Sequence, residues 1–226
     1  MNRKTILYGV IVVAIVALGV ATYFVYWGGS TLSALPGDEA KLTVTLTPSD
    51  HTLGSPNAPV QFVEYGAPTC PHCAHWNETV FPKFKKTYID TGKVYYIFRV
   101  FPLSSVDVAV EAMARCLPKD SYFQFIDMMF RNQSKWDPDG YRIPDVHQAL
   151  INMGRIAGMS ADRVNTCISN QDELKKIAAI GEHASKAYGI QGTPSFIING
   201  ELSGKATTWQ GAQDVVNADL KKAAKS

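Results

Sequence analysis

The chain has 226 residues, 46% hydrophobic and 19% charged, with a net charge of +2. That is room for one sizeable domain or a domain with a large insertion, in a composition ordinary for a globular protein. Arg3 and Lys4 are two of the 22 Lys and Arg residues, which leaves 20 against 20 Asp and Glu in the rest. A neutral body lacks the basic face that a nucleic-acid partner needs, and Lys221, Lys222 and Lys225 read as a solvated helix end.

In chain order, the first element is an uncharged run from Ile6 to Trp27, behind a short N-terminus (residues 1–5) that carries Arg3 and Lys4. As a helix its 22 residues would be about 33 Å long, close to a bilayer's hydrocarbon core. Tyr23, Tyr26 and Trp27 sit at the far end, where aromatic rings favour the interface, and the next charges are Asp38 and Glu39. This asymmetry predicts an N-terminus in the cytoplasm and a domain outside. The alternative is a cleaved signal sequence, for which the apolar core is long and Thr31 and Ser33 form a weak cleavage site. Either reading exports the domain. An even number of cysteines, Cys70, Cys73, Cys116 and Cys167, fits disulfides in that compartment. Spacing makes Cys70–Cys73 the local pair and leaves Cys116 with Cys167.

Residues 28–57 are rich in Gly, Ser, Thr and Pro and read as a linker, with one short strand over Leu42–Leu46. Val60 to Tyr65 is a β-branched and aromatic strand. From Pro71 to Tyr88, Trp76, Val80, Phe81, Phe84 and Tyr88 recur at mostly three- and four-residue steps, a helix that Pro82 should kink or divide. Lys93 to Phe101 (KVYYIFRVF) is the strongest strand signal, so residues 60–101 read as one βαβ unit. Helices are then expected from Ser105, as its cap, to Leu117, and over Tyr122–Arg131, Pro144–Ala157, Ala161–Ser169 and Asp172–Tyr188, the last ending at Gly189. Ser195–Ile198 is a strand, Asn199-Gly200 a type I′ turn, Glu201–Leu202 the returning strand, and residues 211–223 a final helix with Val215, Val216 and Leu220 on its apolar side. The order is that of an α/β core carrying a helical insertion: 58–104 with 189–226 as the core, 105–188 as the insertion.

Cys70-Pro71-His72-Cys73 falls where strand passes into helix. A cysteine there meets unpaired backbone N–H groups and the positive end of the helix dipole, both of which favour a thiolate. Pro71 suits the first helical position, where its missing N–H costs nothing. Cys73 is one turn on, within disulfide reach of Cys70. Stabilising the Cys70 thiolate stabilises the reduced form and makes the disulfide a stronger oxidant. His72 can hydrogen-bond the thiolate or attract it as a cation; the bland alternative is a solvated helix-start side chain. Haem attachment would need His at the position of Ala74, and a structural zinc site would need two further ligands beside His72 and His75. An inert structural disulfide is the remaining alternative.

At this point the sequence resembles the DsbA-like family of bacterial thiol–disulfide oxidoreductases, over about residues 55–224. The resemblance is carried by SPNAPV, VEYGAPTCPHC, FRVFPL, ARC at Cys116 and YGIQGTPSFIING. It implies a thioredoxin fold with a helical insertion. It further implies Cys70 as nucleophile, Cys73 as its buried partner, and Thr193-Pro194 as a cis-proline loop facing them and pairing with the substrate backbone, against an ordinary trans turn. Glu64 stands where some members carry a buried acid that accepts a proton at the buried thiol; the alternative is a strand-end glutamate paired with Arg99 or solvated. Some relatives carry an Asp where this chain has Ala67, so the role of that Asp does not carry over. Some have a second disulfide in the insertion, here Cys116–Cys167, against two separate buried thiols.

The expected activity is disulfide donation to newly exported proteins, with no organic cofactor and no metal. The resemblance implies reoxidation by a DsbB-like quinone-linked membrane protein. With the run Ile6–Trp27, this puts the enzyme at the bacterial inner membrane on a single span with its catalytic domain in the periplasm, or free in the periplasm after signal cleavage. An isomerase or reductase is the alternative within enzymes, although residues 28–57 are too few for a separate dimerisation domain. A non-enzymatic metal-handling protein using Cys70, Cys73 and His75 is the alternative outside them.

Overall fold

A computed structural model describes residues 44–225. The run Ile6–Trp27 lies outside them; among the described residues no helix is long and apolar enough to cross a membrane.

Five strands form one sheet in the order β1-β3-β2-β4-β5: β1 (His51–Leu53), β2 (Val60–Gly66), β3 (Val94–Val100), β4 (Ser195–Ile198) and β5 (Glu201–Ser203). β2 and β3 are parallel, and the other three pairings are antiparallel. All seven residues of β2 are buried, the pattern of a central strand covered on both faces. Side-chain alternation sends Phe62 and Glu64 to one face and Val63 and Tyr65 to the other. On the first face Phe62 packs with Trp76, Phe84, Tyr96 and Phe196. On the second, Val63 and Tyr65 pack with Ile97, Ile197 and Ala184.

The helix after β2 is divided, as Pro82 requires. α1 (Pro71–Thr79) stops at Val80, and α2 (Phe81–Phe84) runs into a π-helical turn, Lys85–Ile89. The insertion holds α3 (Ser105–Cys116), a 3₁₀ turn Lys119–Ser121, α4 (Tyr122–Arg131), α5 (Gln133–Trp136), α6 (Val146–Ile156), α7 (Ala161–Ser169) and α8 (Gln171–Tyr188). α9 (Trp209–Ala223) closes the fold. Gly189, in the left-handed region at φ 68°, ends α8. Asn199 (φ 48°) and Gly200 (φ 88°) give the hairpin the two positive φ values of a type I′ turn.

Three expectations need correction. Residues 44–46 form no strand; Val44 is tied instead to the Gln61 side chain, whose Oε1 accepts from Val44 N at 2.6 Å. Second, the linker does not run to 57, because His51–Leu53 pairs with Phe98, Ile97 and Tyr96 of β3. This short polar stretch has no strand signal of its own. Tertiary contacts hold it: the His51 ring stacks on Tyr122 at 3.4 Å, and the neighbouring Asp50 takes two 2.7 Å hydrogen bonds from Arg99. Third, α3 is capped by Ser104 rather than Ser105, with the Asp107 carboxylate accepting from Ser104 N at 3.0 Å.

Cys116, at the end of α3, is joined to Cys167, in α7, with Cα atoms 6.2 Å apart. Cys167 is buried and Cys116 only half-buried, since it ends its helix. The bridge closes a loop across a sequence separation of 51. Restricting the unfolded chain in this way is worth about 2–4 kcal/mol. A Cys116→Ala, Cys167→Ala variant is therefore expected to melt several degrees lower while still oxidising a dithiol peptide. Two free thiols at these positions in the oxidised wild type, found by thiol counting and mass spectrometry, would overturn the bridge.

Candidate active site

β2 and β4 assemble the site. Tyr65 and Ser195 are cross-strand partners, so the chain leaving β2 towards Cys70 and the chain entering β4 from Thr193 emerge side by side. The Thr193–Pro194 peptide is cis. Cys70 is the N-cap of α1 with extended backbone (φ −73°, ψ 117°), and Pro71 takes the first helical position. The Cys70 Sγ accepts from the Cys73 backbone N–H at 3.3 Å, and as a thiol donates to the Thr193 carbonyl at 3.4 Å.

Both cysteines are free thiols. Cys70 is 4% exposed rather than open, and Cys73 is fully buried. Their surroundings push them in opposite directions. The Cys73 side chain, facing the Cys70 sulfur, holds the Cys70 thiol down at about 6; burial opposes this, while the Thr193 side chain and the backbone N–H groups of Cys73 and His72 assist. Burial first, and then the Cys70 sulfur and the Glu64 charge, push Cys73 well above the ordinary thiol value. Pro71 and His72 are exposed. Of His72, it is the backbone N–H that bears on the Cys70 sulfur.

Glu64 is 1% exposed and turned to the cysteine side of the sheet, where its Oε2 accepts from Tyr96 OH at 2.7 Å. Burial raises its carboxyl to about 8; Tyr96 opposes this and the Cys70 charge adds to it. The pairing with Arg99 does not occur. Arg99 is on the other face, committed to Asp50, to Tyr65 OH at 3.0 Å and to Thr45 O at 2.8 Å. Among the described residues no group of three or more His, Cys, Asp or Glu side chains could hold a metal, and His75 is exposed on α1.

Three residues at the site escaped the sequence reading. Tyr96 lies within the strand run, and only the register across β2 puts its hydroxyl on Glu64. Asp107 accepts from Thr69, next to Cys70, and Gln133 donates to the Cys70 carbonyl. Asp107 carried a faint signal as the acid at the third position of a helix that opens with Ser104. Gln133 carried none.

A thioredoxin fold with a paired-cysteine helix start facing a cis-proline defines the class: a thioredoxin-superfamily protein with a dithiol site. The family model described as Thioredoxin matches residues 46–218. The crystal structure of Wolbachia pipientis alpha-DsbA1 superposes with a TM-score of 0.71 at 30% identity, covering 79% of this chain and 94% of that one. A probable disulfide bond formation protein D of Bacillus cereus is 30% identical over 179 residues, covering 77% of this chain and 80% of the relative. A putative protein-disulfide oxidoreductase of Rickettsia bellii is 33% identical over 162 residues, 71% of this chain. The chain spans 61% of that relative's length, and 58% of its Rickettsia typhi counterpart. The chain belongs to the DsbA-like family of the thioredoxin superfamily.

Proposed function

We propose that the protein is a thiol–disulfide oxidoreductase that donates the Cys70–Cys73 disulfide to exported proteins. The observation that carries this is the placement of the pair: Cys70 caps the N-terminus of α1 with its sulfur accepting from Cys73 N, beside the cis Thr193–Pro194 peptide, and Cys73 lies fully buried one turn on. A substrate thiolate attacks the Cys70 sulfur, the Cys70–Cys73 bond breaks, and Cys73 leaves as a thiolate that its buried site cannot keep charged. Glu64, a carboxylic acid at neutral pH, supplies the proton, and is the acceptor when the reaction runs in reverse. A second substrate thiolate then attacks the substrate sulfur of the mixed disulfide. Cys70 departs as a stable thiolate, and two electrons have passed from substrate to enzyme. Thr193 and Pro194 present the backbone edge against which the substrate lies.

Reoxidation falls to a quinone-linked membrane oxidase of the DsbB kind, and residues 6–27 hold the catalytic domain near it on the periplasmic side. The mass of the mature protein tests the anchor. A chain beginning near residue 34 would mean a cleaved signal and a soluble enzyme.

The function is tested by equilibrating the protein with glutathione and following a reduced dithiol peptide. The expected result is stoichiometric peptide oxidation and a Cys70–Cys73 disulfide more oxidising than that of thioredoxin. His72→Ala should make the disulfide harder to reduce by up to about tenfold if the imidazole supports the thiolate. An unchanged equilibrium would remove His72 from the site and leave Pro71 and the helix terminus to set the poise. No peptide oxidation by the wild type would overturn the function.

A further inference from the structure

The Cys70 sulfur is placed with the Cys73 backbone N–H donating to it at 3.3 Å and, as a thiol, against the Thr193 carbonyl at 3.4 Å. That placement depends on the backbone of residues 68–70, a loop except where the Cys70 carbonyl accepts the first bond of α1, from Ala74 N at 3.1 Å. Two buried side chains of the insertion hold it further. Asp107, fully buried on α3, accepts from Thr69 N at 2.8 Å, Thr69 Oγ1 at 3.1 Å, Leu103 N at 2.9 Å and Ser104 N at 3.0 Å. All four contacts are donors, the environment of a carboxylate, and they fasten the residue before Cys70 to the turn between β3 and α3. Gln133, 6% exposed on α5, donates through one Nε2 to the Pro68 carbonyl at 2.8 Å and the Cys70 carbonyl at 3.1 Å.

The Cys70 carbonyl is where the restraint matters most. Rotation about ψ of Cys70 swings that carbonyl and, with it, the whole of α1 relative to the Cys70 side chain. Holding the carbonyl therefore holds Cys73 N against Sγ. The Cys70 amide is fixed as well, donating to Ala67 O at 3.0 Å. The groups that touch the sulfur belong to the thioredoxin core, and the side chains that clamp its backbone belong to the insertion.

We propose that Asp107 and Gln133 are positioning residues for Cys70: the helical insertion clamps residues 68–70 from two sides and so sets the distance from the Cys70 sulfur to its backbone donor. The inference rests on the disulfide-exchange reading above.

The test uses the full-length protein and two readouts: titration of the Cys70 thiolate by its ultraviolet absorbance, and equilibrium with glutathione. Gln133→Met keeps the side chain's bulk and removes both donated bonds. It is expected to move the thiol titration up by about half to one unit and to make the disulfide about three- to tenfold harder to reduce. Thr69→Val, which removes one bond to Asp107 and leaves the acid in place, should move both readouts the same way by less. Asp107→Asn gives a sign test. Loss of a negative charge by itself can only favour the thiolate, so a rise in the Cys70 pKa marks lost positioning and a fall overturns it. Ile177→Val, in the separate cluster with Val100 and Ala112, should lower the melting temperature and leave the titration where it is. A wild type that does not exchange with glutathione overturns the proposed function. A wild type that exchanges, with Gln133→Met unchanged in both readouts, overturns this inference alone. If Gln133→Met does not fold, Thr69→Val decides by the same criterion.

Discussion

Reduced protein treated with an alkylating agent should lose Cys70 along a curve with its midpoint near pH 6, while Cys73 stays unmodified into the alkaline range. At pH 7 a thiol of this acidity is about nine-tenths thiolate, and only the thiolate reacts. Cys73 has a thiol pushed well above the ordinary value and no exposed surface, so its labelling should be slower by at least about a hundredfold. The acidic thiolate is a weaker nucleophile than an ordinary one, which offsets part of the gain for Cys70 but none of the contrast in access. Cys70→Ser should abolish peptide oxidation. Incubated with a disulfide-bonded peptide, Cys73→Ser should accumulate a mixed disulfide on Cys70: the Cys70 thiolate displaces one peptide sulfur, and the Cys73 thiol that would release the peptide in that direction is gone. The same shift has a consequence for stability. The Cys70 pKa is lowered on folding, so the reduced protein gains stability as pH rises from about 6 towards the ordinary thiol value, and loses it as pH falls through 6. Comparable labelling of the two cysteines at pH 7, or a midpoint above pH 8, would remove Cys70 from the nucleophile's role.

Glu64→Gln should make the reduced protein more stable in alkaline solution. The carboxyl of Glu64 is raised from 4.5 to about 8, which is the unfavourable direction for its charge. The folded state thus binds more protons than the unfolded state through this window, and wild-type stability falls as pH rises from about 4.5 to about 8. The burial cost is fully avoided below 4.5 and fully felt above 8. A shift of this size in a fully buried group corresponds to a few kcal/mol, about 3–5 as an upper range. The glutamine side chain cannot ionise, and its amide oxygen can still accept the Tyr96 hydroxyl. Urea unfolding of the reduced wild type and variant at pH 4.5 and pH 9 reads the effect directly. The two should agree within about 1 kcal/mol at the acid end and diverge in favour of the variant at the alkaline end. Parallel pH profiles would mean that Glu64 is not the buried acid described here. If Glu64 supplies the proton to Cys73, as proposed, the variant should also oxidise peptide more slowly, which separates a stabilising change from an improved enzyme.

Local chemistry determined a large part of this protein without help from the tertiary structure. The cysteine pair at a strand-to-helix transition, with Pro71 at the first helical turn, is enough to predict an N-capping thiol, since the orphan amides of a helix start are a property of every helix. The division at Pro82, the left-handed stop at Gly189 and the Asn199-Gly200 hairpin follow from φ restrictions that single residues impose. The ends of α4 and α7 are as the apolar spacing predicts, because those helices bury one regular face.

What the tertiary structure decided is whatever depends on partners distant in sequence. His51–Leu53 becomes a strand only because β3 offers an open edge and Tyr122 and Arg99 hold it there. The choice for Glu64, between pairing with Arg99 and lying buried beneath the cysteines, is made by the alternation of β2. Glu64 and Tyr65 point to opposite faces, and Arg99 finds Tyr65 and Asp50 on its own. The clamp of Asp107 and Gln133 spans 38 and 63 residues to the loop it holds. A hydrogen bond across such a span leaves no periodicity, no cap and no spacing in the chain. It exists only once packing has brought the insertion against the start of α1, and so the paired cysteines could be read from the sequence while the side chains that aim them could not.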